Sequence, residues 1–351
     1  MLGGTVMFWS GVDIGVDLGT SSVLVYVADK GIVVNETSVV AVEKDANKVV
    51  AIGDDAREMI GRNPSNYKIV RPLKDGVIAD YEVTLVMLKY LIGKVCGKRP
   101  LFKPRVAVCI PAKITTVERR AVIEATLEAG ARQTYLVEEP MAAAIGSGLD
   151  VSEPIGNMIV DIGGGTTDVA VISLGGMVLS QSIKVGGDNC DDAIIRYVRK
   201  KYNLMIGERT AQNVKVSIGE AYVENREFEN KSMEVRGRDL LTGLPKTEIV
   251  TSEDIAKALM EPVDLMIGCA REVLENTPPE LAVDVSQNGI IMTGGGSLLK
   301  GLDRLLMEVT GIPVHVAEDP VTCVVRGTGK MLETLNKLKP SSVITNVPRR
   351  S

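Results

Sequence analysis

One short plan occurs twice, far apart in the chain. Ile14 to Val27 reads as an apolar strand, a turn opened by Asp17-Leu-Gly-Thr20 and a second apolar strand, and Met158 to Ile172 repeats it with Asp161 ahead of Gly163-Gly-Gly-Thr-Thr167. In both copies the Asp ends a strand just before the glycines. Two unrelated turns have no reason to share that frame, so the chain is expected to be two lobes related by duplication. Length agrees, because 351 residues exceed what one hydrophobic core usually supports.

The building material narrows the fold class to α/β. Aromatic residues make up only 3%, so the cores must be built from Val, Ile, Leu, Ala and Met, which suits buried parallel sheets flanked by helices. Thr115-Thr-Val-Glu118 has a capping-box pattern and opens a helix through Val122 and Leu127, with Gly130 as its stop. Amphipathic spacing predicts further helices over 188–201, 210–222, 252–276 and 297–309. Phe228 to Val250, broken by Gly237, Gly243 and Pro245, reads as a small β-rich insertion. The tail from Lys339 to Ser351 lacks apolar period and is expected to be disordered.

Several function classes drop out. A net charge of −5 gives no electrostatic reason to expect a nucleic-acid partner. The five cysteines are scattered without a CxxC pair, which points to reduced thiols, and the single His315 has no ligand cluster around it, which removes histidine triads. No run approaches the length of a membrane span, and Met1 to Val12 is apolar but lacks the basic n-region and cleavage site of a signal peptide.

The repeated turns point to phosphate chemistry. A phosphate chain needs many backbone N–H donors at close range, and glycine lets the main chain approach. Thr20, Ser21 and Ser22 in one turn and Gly163, Gly164 and Gly165 in the other would clamp it from two sides. Mg2+ prefers oxygen ligands and keeps several waters, so Asp17 and Asp161 are candidates to orient its shell from opposite lobes. Glu138-Glu139-Pro140 stands where a strand gives way to a helix, which makes Glu139 the candidate for positioning an attacking water, with Thr166 assisting. The alternative is that Glu139 only caps its helix. Gly294, Gly295, Gly296 and Ser297 end a strand and fit an adenosine floor, although a plain strand-to-helix turn would look the same. Gln212, Asn213, Val214 and Lys215 suit the opposite wall, or else a solvated helix face. No GxxxxGK[ST] occurs, so the P-loop route to ATP is closed.

In this order the motifs resemble the actin, sugar-kinase and heat-shock-chaperone ATPase superfamily, and within it the MreB family of bacterial actins, which includes the paralogue Mbl. The resemblance rests on Asp17-Leu-Gly-Thr20, Lys30-Gly-Ile-Val33, Glu138 to Gly146, Asp161 to Asp168, Gly207-Glu-Arg-Thr-Ala211 and Gly294 to Leu299, and it runs over nearly the whole chain. It implies two duplicated, ribonuclease H-like lobes around a nucleotide cleft, divided into four subdomains. Lobe I would hold residues 1–150 and 325–351 with a small subdomain at about 35–75, and lobe II would hold 151–324 with one at about 189–253. It further implies ATP and Mg2+ as ligands, slow hydrolysis that switches filament state, and self-assembly into antiparallel pairs of protofilaments. The filaments would lie on the inner face of the cytoplasmic membrane, determine rod shape and engage elongation-machinery proteins such as RodZ and MreC. Two places depart from the family pattern: Ser21-Ser22-Val23 after the first turn, and Gln212-Asn213 where acidic residues are common.

A membrane contact also has its own basis. Lys98-Arg-Pro-Leu-Phe-Lys-Pro-Arg105 sets Leu101 and Phe102 between basic residues in a Pro-bounded loop, suited to dipping into lipid beside anionic headgroups. Packing of both residues under the first lobe is the competing expectation. Phe8 and Trp9 are a second candidate contact. Two rivals to the cytoskeletal expectation are a small-molecule kinase of the same fold, which would need an acceptor pocket with a base, and a chaperone-type ATPase, for which little chain follows the second lobe.

Overall fold

The computed structural model describes residues 12–46, 48–97, 102–222, 228–334 and 344–348. The first half runs β1 (Asp13–Leu18), β2 (Ser22–Val27), β3 (Gly31–Thr37), β4 (Val40–Glu43), β5 (Lys48–Ile52), α1 (Asp54–Glu58), β6 (Tyr67–Val70), β7 (Leu73–Lys74), β8 (Val77–Ile78), α2 (Tyr81–Cys96), β9 (Arg105–Ile110), α3 (Thr116–Glu128), β10 (Gln133–Glu138) and α4 (Glu139–Gly146). The second half runs β11 (Asn157–Ile162), β12 (Thr167–Ser173), β13 (Gly176–Ile183), α5 (Gly187–Tyr202), β14 (Leu204–Met205), α6 (Glu208–Ile218), β15 (Ser232–Asp239), β16 (Pro245–Thr251), α7 (Ser252–Glu275), α8 (Pro279–Asn288), β17 (Ile290–Thr293), α9 (Leu302–Thr310), β18 (Val314–Val316), α10 (Cys323–Thr334) and β19 (Ile344–Pro348).

The two main sheets repeat one order. The first reads β3-β2-β1-β9-β10-β19 and the second β13-β12-β11-β17-β18. In each, the first three strands form an antiparallel meander, and the next two join parallel to the central strand. Asp17 is the penultimate residue of β1 and Asp161 the penultimate residue of β11, so the repeated motif sits at the same corner of both sheets. All seven residues of β12 are buried, as in a strand covered on both faces.

Helices α4 and α10 form the layer between the sheets. One core cluster takes Ala107, Cys109 and Val137 from the first sheet and Ile159, Ala170 and Ile172 from the second, with Ala142–Ala144 of α4 and Val324, Met331 and Leu332 of α10 between them. Small residues let the two backbones touch. A Cβ on Gly146 would overlap the Cys323 carbonyl, and one on Gly327 would overlap that of Ala142.

Two small sheets stand on the main ones. β5-β4-β6 spans residues 40–70, and β14-β15-β16 spans 204–251. The capping box on α3 forms as its sequence requires: Thr115 Oγ1 accepts from the Glu118 amide at 3.2 Å and the Glu118 carboxylate accepts from the Thr115 amide at 2.9 Å.

Four local expectations change. Residues 297–309 are not one helix, because a 3-10 turn (Gly295–Leu298) is cut from α9 by Gly301 at φ 78°. α6 stops at Ile218 rather than 222, since Gly219 leaves the helical region with ψ 134°. Gly237 does not break a strand but lies inside β15, where a Cβ would strike the Met205 carbonyl of β14. Within the tail, Ile344–Pro348 pair with β10 as an edge strand. Backbone hydrogen bonds to an open sheet edge need no apolar period, which is why composition missed it.

Candidate functional site

The repeated turns close in the same way. Gly19 N donates to Ser22 O at 3.0 Å, and Gly163 N donates to Thr166 O at 2.9 Å, so each turn is locked two and five residues beyond its Asp. The turns then press against each other. A Cβ on Gly164 would overlap Ser21, and one on Gly165 would lie 2.5 Å from Thr20 Oγ1 and 3.0 Å from Asp75 Cα. Ser21 Oγ donates to Asp188 Oδ1 at 2.7 Å across the gap. The first residues of α5 are tied under the second turn, with Gly187 N on Gly163 O at 3.0 Å and Asp188 N on Gly164 O at 2.8 Å. Above them, Arg57 donates to Gln212 and Arg71 to Glu208, each at 2.8 Å, joining α1 and the segment after β6 to α6. Ser21 and Gln212 thus both bond across the cleft.

Between the lobes lies a cleft of about 370 Å³. Its lining includes Asp17, Thr20, Ser21, Ser22, Glu139, Asp161, Gly163, Gly164, Gly165 and Thr166, together with Gln212, Lys215, Gly294, Gly295 and Gly296. Three expected wall residues do not face it. Val214 is fully buried in the second core, because its place on α6 points it at that sheet. Asn213, one step earlier on the same helix, is exposed away from the cleft. Ser297 is buried and donates to Gly294 O at 2.7 Å, closing the 3-10 turn from behind. Lys215 does reach the site, but its ammonium is held by Gly187 O at 2.6 Å and by Asp191 at 2.9 Å.

At the base of the cleft the carboxyl groups crowd. Burial raises Asp17 from 3.8 to about 7, and the nearby Asp161 adds to the rise. Burial also raises Asp161 to about 7, against the Thr293 hydroxyl that donates to it at 2.7 Å and with the repulsion of Asp168. Glu139 is pushed well above the usual carboxylate range by burial first, then by Asp168, Asp17 and Asp161. It does not cap α4: the N-cap is Glu138, which makes no side-chain capping bond. Asp168 was given no role from the sequence although it is an acid in the wholly buried β12, and its Oδ1 accepts from Ala112 N of the first lobe at 3.0 Å. So much buried negative potential is costly without a cation. Among the described residues no group of three or more acids, histidines or cysteines forms a direct metal cage. The two buried carboxylates of Asp17 and Asp161 are oxygen donors of the kind that fits Mg2+ keeping waters and taking other oxygens from a phosphate.

The far end of the cleft, beyond Lys215, is walled by Val216, Ser217, Leu298, Leu299 and Lys300. Gly294, at φ 77°, packs straight onto Ile162, where a Cβ would overlap the carbonyl, so the floor lies close under the lining. Of the candidate membrane pair, Phe102 is 48% exposed, while Leu101, like Phe8 and Trp9, falls outside the described residues.

Comparison with known proteins agrees with this architecture. The MreB/Mbl protein family matches residues 11–340. The chain is 53% identical to the cell shape-determining protein MreB of Escherichia coli (strain K12), covering 92% of this chain and 94% of that protein. It is 51% identical to the cell shape-determining protein Mbl of Bacillus subtilis (strain 168), covering 93% and 97%. Among solved structures, MreB5 of Spiroplasma citri bound to ADP superimposes with a TM-score of 0.88 at 38% identity, covering 93% of this chain and 98% of that one. A MamK double helical filament does so with 0.78 at 25% identity, covering 92% and 99%. With a match over nearly its whole length and two α/β lobes of the actin-like kind, the chain belongs to the MreB/Mbl family.

Proposed function

We propose that this protein is an ATP-binding, actin-like cytoskeletal subunit that assembles into filaments and helps determine cell shape, with slow ATP hydrolysis switching the filament state. One observation carries this reading: Asp17 and Asp161, from matching corners of two sheets of the same order, line one cleft together with both glycine turns. Support from relatives is consistent with it, since the MreB and Mbl proteins are named for cell shape, MreB5 is described bound to ADP and to AMPPNP, and MamK as a filament.

Within this proposal each residue has a task. The amides of Gly163–Gly165 and the hydroxyls of Thr20, Ser21 and Ser22 hold the phosphate chain. Asp17 and Asp161 would hold Mg2+, through water in its shell. That cation, when bound, supplies neutralisation of the crowded phosphates and carboxylates. Glu139, once ionised, would orient the attacking water and take its proton, with Thr166 assisting. Closure is read by the bonds Ser21–Asp188, Arg57–Gln212 and Arg71–Glu208, and the glycine seam between α4 and α10 is where the lobes slide. In this scheme, subunits with closed clefts fit the filament.

The same proposal places the filaments on the inner face of the cell membrane, in contact with elongation-machinery proteins such as RodZ and MreC. The exposed Phe102, next to the exposed Lys103, supports the lipid contact, and many copies along a polymer would make a weak contact effective. Among the described residues no helix is long and apolar enough to cross a membrane. One sedimentation experiment with ATP and anionic vesicles tests both parts. Wild-type protein should pellet as polymer and float with vesicles, Asp161→Ala should do neither, and Phe102→Ala should pellet without floating. Normal ATP-dependent pelleting of Asp161→Ala defeats the assignment.

A further inference from the structure

The cleft has two chemically different ends. Glycine turns close one end, and the C-terminal part of α6 with residues 298–300 walls the other. If phosphates lie on the turns, as the proposed function holds, the base reaches the second end. Leu298, Leu299 and Val216 offer it apolar contact, and Ser217 offers a neutral hydroxyl. Lys300 offers an ammonium group whose side chain is 57% exposed.

That ammonium is held in place. Its Nζ lies 2.7 Å from Glu220 Oε2, and the Glu220 side chain is only 4% exposed. The two residues are also linked through the backbone, by a parallel bridge between them and by Ala221 N donating to Lys300 O at 2.8 Å. Gly301 leaves the room the carboxylate occupies, since a Cβ there would lie 2.7 Å from Glu220 Oε1. A buried carboxylate is costly unless paired, so Lys300 cannot sweep solvent as an ordinary surface lysine does. An ammonium has three N–H donors, and Glu220 engages one of them. The other cleft lysine, Lys215, is already committed to Gly187 and Asp191.

We propose that Lys300, positioned by Glu220, is the donor that recognises the acceptor nitrogens of a purine base. It makes the base end of the cleft a site for a ring with acceptors on its edge, and it gives the apolar walls a direction. This inference rests on the nucleotide reading and specifies which group reads the base.

Calorimetric titration with Mg-ATP and with Mg-ribose 5-triphosphate, which keeps sugar and phosphates but lacks the base, separates the cases. Lys300→Met should weaken ATP binding about tenfold, as expected for loss of a charge-assisted hydrogen bond partly screened by water, and leave the sugar triphosphate unchanged. Because that variant leaves Glu220 buried and unpaired, the Glu220→Gln/Lys300→Met double variant is measured beside it and should show the same selective loss. Equal weakening of both ligands, or undiminished ATP binding by the double variant, overturns the inference. Failure of the wild-type protein to take up either ligand sinks the nucleotide reading itself, and the base contact with it.

Discussion

The first turn presents side chains and the second presents their absence. Thr20, Ser21 and Ser22 carry hydroxyls into the cleft, while Gly163, Gly164 and Gly165 offer bare backbone, and the hydroxyls of one turn occupy the space that side chains on the other would need. The hydrogen bond that closes each turn has been kept, but the surfaces have become complementary. Their surroundings differ as well. Thr293, opposite Asp161 on the parallel ladder, donates to that carboxylate, whereas the next residue along the corresponding ladder beside Asp17 is Cys109, whose thiol engages Thr328 instead. Duplicated halves that meet across one cleft do not need to be alike; they need to fit.

The largest effect should come from breaking that fit. Gly164→Ala places a methyl group against Ser21 and the bond Ser21 makes to Asp188, so the turns must part. Nucleotide-dependent thermal stabilisation should be abolished. Gly93→Ala is the control, because nothing lies within 4 Å of its Cβ and Gly93 lies outside the cleft lining. It should keep most of the stabilisation in a scanning-fluorimetry comparison. Equal loss in both variants would mean that the loss does not come from contact between the turns.

This contrast also marks what the residues alone can reveal. The duplication, both turns, Glu139 and the two aspartates were legible because each rests on local spacing that a strand and a tight turn impose. Which glycine is sterically required was not legible, since Gly164 is tested by Ser21 from the other lobe. Val214 and Asn213 were misplaced for a related reason: a helix presents several faces, and only its docking angle tells which one meets the cleft. Asp168 was within reach, because a carboxylate in a wholly buried strand demands a reason. Lys300 and Glu220 were not, because their pairing depends on the end of α6 meeting the segment before α9.

A smaller effect tests whether the two aspartates share one electrostatic role. Both carboxyls are raised from 3.8 to about 7, mainly by burial. A carboxyl raised on folding contributes stability that is full below about pH 4 and is lost as pH climbs to about 7. In nucleotide-free protein, Asp161→Asn should therefore lose less melting temperature than the wild type between pH 4 and pH 7.5, as should Asp17→Asn. Stabilisation by Mg-ATP, which needs the ionised carboxylates, should grow through the same window in the wild type only. Melting curves for either variant that run parallel to the wild-type curve across this range would refute the assignment.

The smallest effect isolates the difference between the halves. Thr293→Val keeps the buried shape but deletes the hydroxyl that holds Asp161 down, so the Asp161 carboxyl should titrate still higher. The stability cost should be about 1 kcal/mol, the usual worth of one hydrogen bond. More tellingly, the pH midpoint of Mg-ATP stabilisation should move upward in Thr293→Val and stay in place in Cys109→Ala, because the thiol gives Asp17 no comparable bond. A midpoint that stays in place in both variants would show that burial alone governs the two aspartates, and that the asymmetry between the ladders has no bearing on the proposed metal site.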